Sequence, residues 1–198
     1  MKKGKAIVPK QLKGGKSVSA YSVQAKDMLT AKKIFENAKL NLLNVNKWHS
    51  LAGRLSADFQ LVNKEGEKIF TDPEKGNYFR INIPPAPGYD WVRVEATEAE
   101  QQQDYDRAAI RVRPAIPPFE KNGEVIHFFT PDATSSFLVE RKGKKITASV
   151  IGRNEIPNTA TKNLLHKIRN AIVAIAAIAG FNKPQWKSLV KGIIKNKS

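Results

Sequence analysis

Between residues 57 and 152, apolar residues recur at every second position in one short segment after another. Side chains on a strand alternate between its two faces, so this period means half-buried β-strands with one apolar face each. Phe59 and Leu61 share a face in 57–62, and Phe79, Ile81 and Ile83 share one in 78–83. Val92, Val94 and Ala96 do so in 91–97, and Ala108, Ile110 and Val112 in 108–113. The clearest hairpin pairs Phe137 and Val139 with Ile146, Ala148 and Val150 across a turn at Lys142-Gly143-Lys144. A weaker alternation over Ser17–Gln24 and a short run at 126–129 suggest further strands.

Segments of helical period flank these strands. Residues 29–51 place Ile34, Ala38 and Leu42 four apart, and a break is expected before Trp48-His49. Residues 160–179 carry Leu164, Ile168, Ile172, Ile175 and Ile178 along one side, and from Ala171 onward are apolar all round. Gly180 ends that helix. A short helix follows, with Trp186, Leu189, Val190, Ile193 and Ile194 on one face and Lys183, Lys187, Lys191 and Lys195 as a stripe on the other. Strands joined by short turns pair as neighbours, and the apolar sheet face must be covered. The expected fold is therefore α+β: a curved antiparallel sheet of six or seven strands gripping a long C-terminal helix, plus a short basic amphipathic helix. The expected organisation is a loosely attached basic arm over 1–16, one domain over 17–180 and the basic amphipathic helix over 181–198.

The charge is unevenly distributed. Residues 1–16 hold six lysines and no acid, and 162–198 hold eight basic residues and no acid, whereas the whole chain carries +16. The remainder is nearly neutral. Basic ends attract nucleic acid or acidic lipid, or simply keep the chain soluble. The chain has no cysteine, which excludes disulfides, cysteine zinc sites and thiol catalysis. The start Met1-Lys2-Lys3 is not followed by the apolar stretch of a signal peptide, and the run Ala171–Ala179 is too short to span a bilayer. The expected location is cytoplasmic.

The element order, with Trp48-His49 closing the first helical region just before the first long strand, resembles the START-like superfamily (Bet v 1-like, polyketide cyclase/dehydrase, SRPBCC), the helix-grip fold. The resemblance spans residues 17–180. The proline-rich connections at 83–88 and 114–118 and the extra basic helix depart from it. It implies a cavity between sheet and long helix that holds an apolar, lipid-like small molecule. Phe59, Phe79, Ile81, Val94, Ile110, Phe137 and Ile172 would line that cavity, with Trp48, His49 and Tyr78 as polar anchors.

Other constellations are sparse. Gly14-Gly15-Lys16-Ser17 resembles the end of a phosphate-binding loop, but Lys10 stands where that loop needs glycine. His49, His127 and His166 have no metal-ligand spacing, so no metal and no cofactor is expected. No acid, base or nucleophile set stands out, so an enzyme is the least supported class. Arg80, Arg93, Arg111 and Arg113 share the sheet face opposite the core. They form either an anion-binding face with Tyr78 and Trp91 as stacking platforms, or a solvated face of ion pairs with Glu95 and Glu140. Three functions remain open: small apolar ligand binding without catalysis, a nucleic-acid or ribonucleoprotein accessory acting through the basic ends, and a peripheral membrane or structural protein. The second and third would use Lys183, Lys187, Lys191 and Lys195 for anions.

Overall fold

The computed structural model describes residues 6–53, 57–83, 88–120, 123–158 and 182–195, with only the backbone for 182 and 183. The expected helix over 160–179, including Ile172, lies outside the described residues.

Seven strands form one antiparallel sheet: β1 (Gly15–Gln24), β2 (Asp58–Val62), β3 (Tyr78–Asn82), β4 (Tyr89–Gln101), β5 (Tyr105–Pro114), β6 (Thr134–Lys142) and β7 (Lys145–Glu155). Their spatial order is β1-β7-β6-β5-β4-β3-β2, so only the β1–β7 pairing joins strands distant in sequence. Helices α1 (Met28–Leu43) and α2 (Trp48–Ala52), linked by a 3₁₀ turn at Val45–Lys47, connect β1 to β2, and α3 (Asn182–Lys195) follows the sheet. This is the expected α+β helix-grip arrangement. The β6–β7 hairpin turns at Gly143, whose φ of 55° needs a residue free of Cβ crowding. Residues 126–129, expected as a strand, make only a single bridge, from Phe129 to Pro157.

The alternating residues meet on one face. Phe59, Leu61, Phe79, Ile81, Val92, Val94, Ala108, Ile110, Val112, Phe137, Val139, Ile146, Ala148 and Val150 belong to a single buried cluster. Among the described residues, α1 covers it with Phe35, Ala38 and Leu42, and α3 with Leu189, Val190, Ile193 and Ile194. The last helix therefore docks by its apolar face and leaves Lys187, Lys191 and Lys195 exposed. Its close approach to α2 depends on Gly192, where a Cβ would lie 2.1 Å from the Leu51 carbonyl oxygen. Asn41 of α1 donates to the Ile193 carbonyl at 3.0 Å and ties the two helices together.

Two expectations change. Ala96 does not share the inner face with Val92 and Val94. The β4–β5 register shifts between Val94 and Ala96, and this bulge turns Ala96 to the outer face, beside Ile7, Ala109 and Leu138. The basic arm is not loose over its described part. Ile7 is buried on the outer face, its carbonyl accepts from the Ser136 hydroxyl at 2.9 Å, and the Ala6 carbonyl accepts from Arg111 at 2.8 Å.

Asp106 and Arg141 face each other on paired positions of β5 and β6 at one end of the inner face. Arg141 is fully buried; it donates to Asp106 and to the carbonyls of Gln102, Gln103 and Gly143, so one guanidinium ties two hairpin turns together. Removing one partner of such a pair leaves the other charge buried and uncompensated. The variant Asp106→Asn is expected to lose about 3 kcal/mol of stability in urea unfolding, on the scale of broken buried pairs. A loss below ~1 kcal/mol would show that the pair is dispensable.

Candidate functional site

A cavity of about 90 Å³ opens between the β2–β3 side of the sheet, the end of β7 and the start of α3. Its apolar wall includes Phe59, Phe79, Ile81, Val112 and Phe137 from the sheet and Trp186 from α3. The alternation that buries the core also supplies this wall. The rings form a continuous cluster: Trp186 lies 5.9 Å from Phe59 and 5.6 Å from Phe137 between centroids. Tilted and edge-on arrangements of this kind are the favoured aromatic contacts.

Polar residues line the cavity too, and they come from separate places in the chain. Ser17 and Ser19 face inward from β1, Glu155 lies at the end of β7, and His127 sits in the loop before β6, next to Phe128 and Phe129. The Ser17 hydroxyl donates to Glu155 Oε1 at 2.8 Å. Burial pushes the Glu155 carboxyl above the usual carboxylate range, and the Ser17 hydrogen bond and the nearby Arg153 charge only partly oppose it.

His127 is held in one tautomer. Its Nδ1 accepts the Phe129 backbone N–H at 2.9 Å, so the neutral ring carries its proton on Nε2. Burial lowers its pKa to about 3. Asn158 fixes the loop from the other side: its side-chain amide donates to the carbonyls of His127 (3.1 Å) and Val125 (3.3 Å).

The residues expected to line a pocket separate into groups. Phe59, Phe79, Ile81 and Phe137 line the cavity. Val94 and Ile110 are buried deeper in the core and do not reach it. Trp48, expected as an anchor, is fully buried instead; the 3₁₀ turn points it inward, and its indole N–H donates to the carbonyls of Asn41 (3.2 Å) and Leu42 (3.1 Å) at the end of α1. It packs on Phe59, Phe79 and Phe137, behind the cavity wall. His49, one position on in α2, is half-buried and is not among the lining residues. Tyr78 faces the other side of the sheet, in a depression with Arg93, Glu95 and Arg113. Ile172 and the Lys183 side chain lie outside the described residues.

The outer face is largely an ion-pair face. The bulge at Glu95 sets its carboxylate between Arg111 Nε (2.9 Å) and Arg113 Nε (2.5 Å). Burial works to raise that carboxyl, but the hydrogen bonds and charges of Arg113 and Arg111 outweigh it and hold it low. Arg80 donates to Gln60 and lies 4.9 Å from the Tyr89 ring centroid. Trp91 is buried against Phe119 and is not a free stacking platform.

No family model matches the chain, and no curated protein matches it. Solved structures do. A hypothetical protein of Helicobacter pylori, jhp0584, aligns over 93% of this chain and 88% of its own, with TM-score 0.50 and 12% identity. Norcoclaurine synthase from Thalictrum flavum aligns over 92% of this chain and 88% of its own, with TM-score 0.41 and 10% identity. Ara h 8.0201 aligns over 92% of this chain and 100% of its own, with TM-score 0.38 and 12% identity. The likeness to jhp0584 shows a shared fold. At these identities the likeness is one of fold alone. Among the described residues, no helix is long and apolar enough to cross a membrane.

The buried histidine makes a pH prediction. Folded, His127 stays neutral down to about pH 3; unfolded, it takes up a proton near pH 6.5. Between those values the unfolded chain binds more protons, so this group's contribution to stability is lost as pH falls. Glu155 acts oppositely: its raised folded pKa stabilises the chain at low pH, and this contribution is lost as pH rises through the folded value. His127→Asn keeps an acceptor for the Phe129 N–H and removes the titration. Urea unfolding at pH 6.5 and pH 5 should show the wild type losing about 2 kcal/mol more than the variant over that interval. Equal losses would mean that the ring is protonated in the folded chain.

Proposed function

We propose that this chain binds a small apolar molecule, about the size of a single ring, in the cavity between the sheet and α3. The observation that carries the reading is the wall of Phe59, Phe79, Phe137 and Trp186 around about 90 Å³ of space, with a few polar groups among the lining residues. Ligand sites are mostly apolar with a small number of placed polar groups. The volume selects the ligand class. It is of the order of the ~150 Å³ apolar cavity that takes up benzene. It is well below the roughly 300–1,000 Å³ that encloses drug-sized ligands. A ring or a short branched chain suits it better than the lipid-like ligand expected from the resemblance.

The cavity also has a reason to persist. Its apolar wall comes from β2, β3, β5, β6 and α3, and three of its rings are packed on Trp48, so collapse would pull Phe59, Phe79 and Phe137 off Trp48. Binding is tested with toluene, by ligand-observed NMR and by the shift in thermal midpoint. The expected result is saturable binding that raises the midpoint. Val112→Phe, which fills the space, should weaken toluene binding at least about tenfold. Wild-type protein that does not bind toluene, or Val112→Phe that binds it as well as wild type, would contradict the assignment.

A further inference from the structure

We propose that Glu155 anchors the ligand of this cavity and that the ligand is an organic cation, a protonated amine carried on a small ring. This rests on the ligand-binding reading above and specifies its ligand class.

Among the described residues lining the cavity, only Glu155 and His127 ionise near physiological pH, and His127 is neutral. Glu155 is therefore the one described lining residue that can carry a negative charge. Its Oε1 is met by the Ser17 hydroxyl, and no hydrogen bond from the described residues reaches Oε2. Aromatic side chains line the same cavity, and aromatic faces attract cations. A cation at the carboxylate would offset the cost of its burial.

The Glu155 carboxylate is also placed by a built device. Gly152 pairs with Ser17 on one side and Ser135 on the other, two residues that line the cavity. A Cβ on Gly152 would lie 1.9 Å from Glu155 Oε1 and 2.6 Å from its Cδ. Glycine is what leaves room for the carboxylate. Two residues on, Asn154 adopts φ 55°, the only described non-glycine residue with positive φ. That conformation is costly for most side chains. The N-terminal arm holds it: Asn154 Oδ1 accepts from the backbone N–H groups of Leu12 (2.7 Å) and Lys13 (3.2 Å), and its own N–H donates to Gln11 Oε1 (3.1 Å). The turned backbone brings Glu155 back over Gly152. An omitted side chain, a left-handed residue and a strap of arm residues thus converge on the position of one carboxylate.

The chain carries +16, so its overall field repels cations. A preference for a cationic ring over a neutral one therefore has a local source, and its loss in Glu155→Gln assigns that source to the carboxylate.

The experiment measures binding of benzylamine, benzyl alcohol and benzoate to the full chain at pH 7.5 by NMR titration, with toluene alongside. The three polar probes share one ring and differ in the charge of the substituent. Benzylamine is expected to bind at least about tenfold more tightly than benzyl alcohol, on the scale of a charge-assisted hydrogen bond, with benzoate weakest. In Glu155→Gln the amine-to-alcohol ratio should fall to about twofold or less. Gly152→Ala, which displaces the carboxylate, should lower the ratio in the same direction. A wild-type ratio near one overturns the proposal whether or not either variant folds, and so does a tenfold ratio that survives in Glu155→Gln. If toluene and benzyl alcohol bind but the amine has no advantage, the cation assignment fails and ligand binding stands. If no probe binds, both fail.

Discussion

One face of seven antiparallel strands is largely apolar, and the chain is arranged to keep that face from water. Strand side chains alternate, so every residue that helps to bury the inner face sends its neighbour to the outside. The outer face consequently carries the charged residues, and most of their interactions are local ion pairs such as Glu95 with Arg111 and Arg113. The helices answer the same demand. α1 and α3 each offer one apolar stripe, and Asn41 and Gly192 fix how closely they pack together and onto α2. The exposed lysines of α3 are the far side of a docked helix.

Cover of this kind need not be complete everywhere. Near the β2–β3 side, aromatic rings rather than aliphatic side chains fill the inner face, and rigid rings leave space between them. Trp48 stabilises the arrangement from behind, since it contacts three of those rings and uses its own N–H on the end of α1. The hollow is thus continuous with the core, and the forces that hold the fold also hold the cavity open.

Much of this was legible in the residues. The two-residue period identified the inward residues of β2 to β7, and the helical period identified the buried face of α3. Other features left no local signal. Glu155, Ser17 and His127 lie in three distant segments and meet only once β1 pairs with β7 and the loop before β6 folds back. Ala96 keeps perfect phase with Val92 and Val94 in the sequence, yet one bulge reverses its face. Asp106 and Arg141 did carry a usable sign. Each falls in phase with inward apolar neighbours, at 108 and 110 and at 139 and 137, so each was due to be buried and each needed a partner. Trp48 was recognised as special, but its indole N–H serves the helix end rather than a ligand.

The account turns on the inner face being hollow beside Trp186. Crystals of the full chain pressurised with xenon test this most directly, because xenon enters dry apolar cavities. The account predicts an anomalous peak within van der Waals contact of Phe59, Phe79, Phe137 and Trp186. Xenon bound only elsewhere, or side chains filling that space, would contradict it.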